Sequence, residues 1–195
     1  VTISIIEVPI DAGSDATICE EDSFVIGEAQ DAGYSYLWTS VPFDSSLGNT
    51  SNPNPTVTPS ETTIYTLKKT SDILGCFKEA SVTITVESPP VINDGNDENI
   101  CDTQPDFTLT SASGPATGVS YQWQALGGSG SFNNPTFLNP TYTIGSNDIN
   151  AGSITFLLTA QNTSGSCSAI TDQITLTIEG PVSVSAGADS SICAT

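Results

Sequence analysis

Five cysteines carry the clearest chemistry in this sequence, because pairs of thiols form disulfides in an oxidising compartment. They are Cys19, Cys76, Cys101, Cys167 and Cys193. Three of them end the same pattern, Gly-x-Asp-x-x-Ile-Cys, which recurs at 13–19, 95–101 and 187–193. The other two follow a small residue, in Gly75-Cys76 and Ser166-Cys167. The pattern therefore predicts two cysteines per complete repeat, with Cys193 left over.

Acidic side chains offer a second chemistry, because Ca²⁺ binds several carboxylate oxygens. The candidate calcium ligands lie next to turn residues: Asp11, Asp15, Asp94, Asp97 and Glu98. No acidic segment has the residue order of an EF-hand loop. Two alternatives remain: the acids form a solvated face that keeps the chain soluble, or the repeated Asp braces a turn beside its glycine. No other cofactor is predicted.

The composition argues against catalysis. The chain has no His and no Arg, since its three basic residues are all Lys. Without His there is no Ser-His or Cys-His nucleophile pair and no imidazole metal ligand. Paired carboxylates could still hydrolyse glycosides, but acidic residues are so abundant here that their presence does not indicate an active site. The protein is therefore not expected to be an enzyme.

The net charge limits the partners. With 22 acidic and 3 basic residues the formal charge is −19, whereas nucleic-acid binding requires cations that neutralise phosphates. Nucleic acid is excluded as a partner. Direct membrane insertion is excluded too, because no segment approaches the ~20 apolar residues that span a bilayer. As Met is absent, we expect the chain to be part of a longer polypeptide whose targeting signals lie elsewhere.

Internal repetition predicts the domain organisation. Besides the cysteine pattern, Tyr36-Leu37-Trp38 corresponds to Tyr121-Gln122-Trp123, and the strand-like segment 82–87 corresponds to 174–179 and to the opening residues. The predicted division is the last strand of a preceding repeat (1–8), repeat 1 (9–89), repeat 2 (90–180) and the start of a third repeat (181–195). Proline at the junctions favours stiff connections.

The repeats read as short strands, because apolar residues alternate with polar ones. Strands are expected at 24–27, 34–39, 63–68 and 80–87, and at 107–111, 120–125, 141–144, 153–160 and 173–179, with no convincing helix. A Trp on an early strand and an aromatic on a late one favour tandem immunoglobulin-like (PKD/Ig-type) β-sandwiches, an all-β fold. The predicted core residues are Tyr36, Trp38, Tyr65, Tyr121, Trp123 and Phe156.

Two disulfide pairings fit the cysteine spacing. The favoured one is intra-repeat, with one disulfide in each: Cys19 with Cys76, and Cys101 with Cys167. The alternative joins neighbouring repeats, Cys76 with Cys101 and Cys167 with Cys193, and leaves Cys19 single. In the favoured pairing Cys193 is unpaired in this chain, and the bridge is expected near the edge or end of the sandwich. Both pairings imply an oxidising compartment.

The combination of Ala-Gly-x-Asp-x-x-Ile-Cys (12–19 and 186–193), Tyr-x-Trp, Asn-Pro-Thr-Val-Thr-Pro (54–59), Gly-Cys (75–76) and Val-Thr-Ile-Thr-Val (82–86) resembles the tandem repeats of very large cell-surface adhesins of Bacteroidetes. The resemblance covers the whole chain and includes the gliding-motility adhesins of flavobacteria. It implies a filament on the outer surface of the cell, exported by the type IX secretion system, that contacts polysaccharide or a solid substratum.

The leading functional prediction is an extracellular, outer-membrane-associated adhesin fragment that forms a stiff stalk for attachment and gliding. Its neighbours would be further repeats of the same chain. The alternative is a carbohydrate-binding module array of a secreted glycan-degrading enzyme, for which Phe43, Phe132 and Phe137 are the candidate contact aromatics. A third hypothesis is a calcium-stiffened array.

Overall fold

The computed structural model describes residues 7–182, 184–187 and 189. The chain forms two compact units. Unit 1 comprises 1–91, 116–120 and 161–170, and unit 2 comprises 92–115, 121–160 and 171–195. The predicted boundary between repeats 1 and 2 lies two residues before the start of unit 2 at Ile92, whereas the two short segments of repeat 2 belong to unit 1.

The first β-sandwich is built from six strands, and its larger sheet has the order β1-β6-β5-β3. The strands are β1 (Ala16–Cys19), β2 (Phe24–Val25), β3 (Tyr34–Val41), β4 (Thr56–Val57), β5 (Thr63–Ser71) and β6 (Phe77–Glu87). β2 and β4 form the smaller sheet. The edge strand β1 pairs in parallel with β6, so that Cys19 lies beside Glu87.

The second β-sandwich repeats this plan. Its larger sheet has the order β7-β13-β12-β9, and its smaller sheet the order β10-β11-β8. The elements are β7 (Glu98–Cys101), β8 (Asp106–Thr108), β9 (Val119–Leu126), β10 (Ser131–Phe132), β11 (Thr141–Thr143), helix α1 (Ser146–Ala151), β12 (Ser153–Asn162) and β13 (Ile170–Glu179). β7 pairs in parallel with β13, with Cys101 beside Glu179.

Alternation of side chains explains both cores. In β5 every second residue from Thr63 to Ser71 is buried, because successive side chains of a strand point to opposite faces. Tyr65 and Leu67 are fully buried against Trp38, which is 1% exposed. The second core places Phe156 and Leu158 beside Trp123, which is also 1% exposed.

The predicted core aromatics pack where the repeat pattern expects them. Each Trp donates its indole N–H to a loop carbonyl, Trp38 to Asn52 at 3.0 Å and Trp123 to Leu138 at 3.1 Å. Tyr36 is buried, and Tyr121 is partly buried and donates to the Pro115 carbonyl at 2.6 Å. Buried indole and phenol groups thus have hydrogen-bond partners, as such groups require.

The prediction of an all-β fold of tandem immunoglobulin-like sandwiches is confirmed. Four strands were not predicted: β1, β4, β7 and β10 have two to four residues each and are too short to show a periodic pattern. The six-residue helix α1 was not predicted either. No helix among the described residues is long and apolar enough to cross a membrane.

Candidate functional site

The repeated cysteine pattern begins with a turn that requires glycine. Gly13 and Gly95 have φ of +93° and +109°, a region that side-chain-bearing residues rarely adopt. Asp11 Oδ1 accepts a hydrogen bond from the Gly13 amide and Asn93 Oδ1 one from the Gly95 amide, each at 2.8 Å. The residue two positions before the glycine therefore holds the turn in place.

The Asp of the pattern attaches the edge strand to the sheet. Asp15 Oδ1 accepts from the Thr83 amide at 2.7 Å, and Asp97 Oδ1 accepts from the Thr175 amide at 2.8 Å. The Ile that follows in each repeat, Ile18 or Ile100, packs in the core. The turn, the carboxylate and the buried Ile together position the cysteine at the end of an edge strand.

The structure forms one disulfide among the described residues, between Cys19 and Cys167, which are 148 residues apart in sequence. Both cysteines belong to unit 1. The expected pairs Cys19–Cys76 and Cys101–Cys167 are therefore wrong. The alternative is wrong as well, because it required Cys167 to bond Cys193. Cys193 itself lies outside the described residues.

Strand length explains why the intra-repeat pair cannot form. Cys19 lies beside Glu87, the last residue of β6, whereas Cys76 immediately precedes Phe77, its first residue. β6 has 11 residues and spans about 35 Å at roughly 3.3 Å per residue. A disulfide joins Cα atoms about 4.4–6.8 Å apart, so the two cysteines of repeat 1 are held at opposite ends of one strand.

Glu87 is the polar centre of the site around the disulfide. Its carboxylate accepts hydrogen bonds from the Ser164 hydroxyl, from the Ser166 hydroxyl at 2.7 Å and from the Asn162 amide at 3.2 Å. The hydrogen bonds from Ser164 and Ser166 lower the pKa of Glu87. Glu87 recurs as Glu179 at the end of the matching strand, and this recurrence could have marked it as a site residue from the sequence.

The predicted calcium ligands make different contacts in the fold. Asp11, Asp15 and Asp97 each accept a hydrogen bond from a backbone amide, and Glu98 is exposed on β7. No group of three His, Cys, Asp or Glu side chains suited to a metal ion occurs within the described ranges. The carboxylates of Asp15 and Asp97 brace the cysteine pattern.

Asp94 is the exception among these acids, because it is buried. It is 3% exposed, its amide donates to Asp172 Oδ2 at 3.3 Å, and its own Oδ2 is buried without a hydrogen-bond partner among the described residues. Burial first, and then the charge of Asp172, raise the pKa of Asp94 to about 6. Repeat 1 has Ala12 and Ala80 at the matching positions, so this pair of carboxyl groups is particular to repeat 2.

Lys69 carries the one buried cation of the described chain. It is 0% exposed on β5, and its ammonium lies 2.5 Å from Asp31 Oδ2 and 2.6 Å from Glu28 Oε1. Burial disfavours the charged form, but the two carboxylates outweigh it and raise the pKa of Lys69. The sequence could have predicted the burial of Lys69, because Lys69 lies on the same face of the strand as Tyr65 and Leu67.

Each sandwich also contains a Tyr–Asp hydrogen bond that was not predicted from the sequence. Tyr65 donates to Asp44 at 2.5 Å, and Tyr142 donates to Asp148 at 2.9 Å. Asp148 is 2% exposed and also accepts from the Ser129 and Gly145 amides. Burial opposes its ionisation, but these hydrogen bonds prevail and lower the pKa of Asp148. No local sequence pattern marks either partner.

The three candidate contact aromatics, Phe43, Phe132 and Phe137, have different surroundings. Phe43 is 87% exposed and lines, with Trp38, Asp44 and Leu47, a cavity of about 480 Å³ in unit 1. Phe137 is 58% exposed. Phe132 packs in the second core, 4.9 Å from the Tyr142 ring and 5.5 Å from the Phe156 ring, so the expectation that it contributes to a contact surface is wrong.

Solved structures share this architecture. The I-band fragment I67-I69 from titin is similar with a TM-score of 0.56 and 14% identity, over 88% of this chain and 65% of that chain. Extracellular domains 3-5 of Drosophila OTK are similar with a TM-score of 0.54 and 13% identity, over 85% of this chain and 59% of that chain. For the human Desmocollin-1 ectodomain the TM-score is 0.50 and the identity 12%, over 87% of this chain and 41% of that chain. The chain thus spans less than two thirds of each of these structures.

These similarities and the two sandwiches define the class of protein: a chain of tandem immunoglobulin-like domains. No protein-family model matches the sequence, and no curated protein is significantly similar to it. The disulfide agrees with a location outside the cytoplasm, where thiols are oxidised.

Proposed function

We propose that this chain is a structural and adhesive segment of an extracellular filament on a bacterial cell surface. The observation that carries the proposal is the disulfide that joins the edge strand of repeat 1 to a loop of repeat 2. Such a crosslink resists extension of a chain that bears load between a cell and its substratum. The net charge of −19 keeps such a filament soluble.

The sequence resemblance supports a finer proposal. The repeated cysteine pattern, Tyr-x-Trp and the closing strand resemble repeats of Bacteroidetes surface adhesins such as the flavobacterial gliding adhesin SprB. We propose export by the type IX secretion system, association with the outer membrane and a role in gliding. The contacted material would be polysaccharide or a solid substratum.

Antibodies against the purified chain test this function on cells of the source bacterium. We expect them to label intact cells, and their monovalent fragments to reduce attachment to glass and the speed of surface movement. Fragments raised against an unrelated outer-membrane protein serve as the control. Labelling that requires permeabilised cells would contradict surface display, and normal attachment with saturated label would contradict adhesion.

A carbohydrate-binding module is the second candidate, and Phe43 is the observation that favours it. An exposed aromatic ring beside a cavity of about 480 Å³ is the kind of surface on which sugar rings stack. On a glycan array, Phe43→Ala is expected to weaken binding at least tenfold. Phe77→Ala, which alters another exposed ring of unit 1 that does not line this cavity, is the matched control. Absence of saccharide binding by the unaltered chain would exclude this candidate.

A further inference from the structure

The Cys19–Cys167 disulfide is made from two structural parts. The first is a strand half-site, in which Cys19 ends the edge strand β1 beside Glu87, and the next amide, that of Glu20, donates to the Glu87 carbonyl at 2.8 Å. The second is a loop half-site, in which Cys167 lies in the turn between β12 and β13. With both parts in place Cys167 is 2% exposed.

The strand half-site recurs in repeat 2. Cys101 ends the edge strand β7 beside Glu179, and the next amide, that of Asp102, donates to the Glu179 carbonyl at 2.9 Å. The turn that follows is also the same, since the Cys101 carbonyl accepts from the amide of Gln104, three residues on, as the Cys19 carbonyl does from that of Asp22. Cys101 nevertheless carries a free and exposed thiol.

The loop half-site recurs in repeat 1. Cys76 lies in the turn between β5 and β6, which correspond to β12 and β13. Gly75, of positive φ, immediately precedes Cys76, and Gly165, also of positive φ, lies two residues before Cys167. Its thiol is free and exposed. Around it Ile73, Leu74 and Phe77 are 88%, 51% and 56% exposed. An apolar surface of this kind is typical of an interface.

We infer that Cys101 and Cys76 are the two unfilled halves of the same bridge, and that each is completed by a flanking copy of this repeat. The cysteine that ends an edge strand bonds the loop cysteine of the following repeat, so the chain is crosslinked head to tail. Such a heterologous contact does not close on itself and generates an open filament. The inference rests on the proposed function, because it requires further repeats on both sides.

Each new bridge is an oxidation of two thiols. The Cys101 and Cys76 thiols lose two protons and two electrons as the S–S bond forms. A small-molecule disulfide such as oxidised glutathione accepts the electrons and is reduced to two glutathione thiols.

A fusion of two copies of the chain tests the inference. The strand-final Glu and the motif Gly are eight residues apart in both junctions, from Glu87 to Gly95 and from Glu179 to Gly187. Joining Gly180 of the first copy directly to Glu7 of the second preserves that spacing. The junction variant has Cys76→Ser in the first copy and Cys101→Ser in the second, and so retains the pair that should meet.

The matched control exchanges these substitutions, with Cys101→Ser in the first copy and Cys76→Ser in the second. Both fusions carry Cys193→Ser and are refolded in a glutathione redox buffer. Thiols are counted by alkylation of the unfolded protein, and peptide mapping identifies each disulfide. We expect no free thiol and a Cys101–Cys76 peptide pair in the junction variant, against two free thiols in the control.

Two outcomes would overturn the inference: two alkylated thiols in the junction variant, or failure of the Cys19–Cys167 bridge to form in either copy. Neither outcome bears on display at the cell surface, which the antibody experiment tests separately. An array of repeats without crosslinks at its junctions would still be labelled on intact cells, but its junction variant would retain two free thiols.

Discussion

At the scale of single residues, the buried Asp94 carboxyl group beside Asp172 sets a pH dependence. The pKa of Asp94 is raised from 3.8 to about 6, so on raising the pH the unfolded chain releases this proton first. The stabilising effect of the bound proton is fully present below pH 4 and is lost as the pH rises through 6. At 1.36 kcal/mol per unit this amounts to about 2–3 kcal/mol.

Asp94→Asn should therefore raise the free energy of unfolding of unit 2 at pH 7 by about 1–3 kcal/mol. It should also make that free energy depend less on pH between pH 4 and 6. Urea unfolding followed by circular dichroism at each pH measures this. Asp106→Asn, at an exposed position of the same unit, is the control and should change neither quantity. If the free energy of unfolding rises from pH 4 to 6 in the unaltered chain, and rises equally in Asp94→Asn, the raised pKa of Asp94 is contradicted.

Lys69 makes a second prediction at this scale. Lys69→Met leaves Glu28 and Asp31 beside a buried apolar side chain. Breaking a fully buried pair costs about 3–5 kcal/mol. Since the Asp31 side chain is 50% exposed, we expect a loss of about 2–3 kcal/mol in the unfolding of unit 1.

Lys68→Met is the matched control for this variant, because the neighbouring lysine points to the other face of β5 and is only partly buried. Its ammonium lies 4.0 Å from the centre of the Phe77 ring, an exposed contact worth about 0.5–1 kcal/mol. Equal losses in the two variants would mean that the ion pair contributes nothing specific. Adding Glu28→Gln and Asp31→Asn to Lys69→Met should recover part of the loss.

At the scale of elements, the repeated Asp fixes the edge strand that carries the cysteine. Asp15→Ala removes the acceptor of the Thr83 amide, so that amide should exchange its hydrogen about 5- to 30-fold faster, as expected for the loss of about 1–2 kcal/mol. Amide exchange followed by NMR measures it residue by residue. Asp22→Ala, at an exposed residue just after β1, is the control, and unchanged protection of Thr83 in Asp15→Ala would refute the role.

At the scale of the whole molecule, the disulfide determines how far the chain can be extended. Only 18 residues precede Cys19 and 28 follow Cys167, so the 148-residue separation is closed by the crosslink. When the oxidised chain is pulled from its ends, its contour length should be about 500 Å shorter than that of the Cys167→Ser variant, at roughly 3.5 Å per residue. Single-molecule force spectroscopy measures the difference.

All proteins in the force experiment carry Cys193→Ser, and Cys76→Ser is the control. This substitution removes a thiol and leaves the Cys19–Cys167 bridge intact, so the contour should not change. A short contour in Cys167→Ser would show that other cysteines crosslink the chain.

The sequence by itself determined the all-β class, the repeat and most strands, because these depend on local alternation and on a pattern copied along the chain. It also determined that Trp38 and Trp123 pack inside. Tertiary structure alone decided the partner of Cys19, because β6 holds the two cysteines of repeat 1 at opposite ends. It likewise decided that Asp94 is buried while Asp15 and Asp97 bind amides, since burial depends on which strands meet above each position.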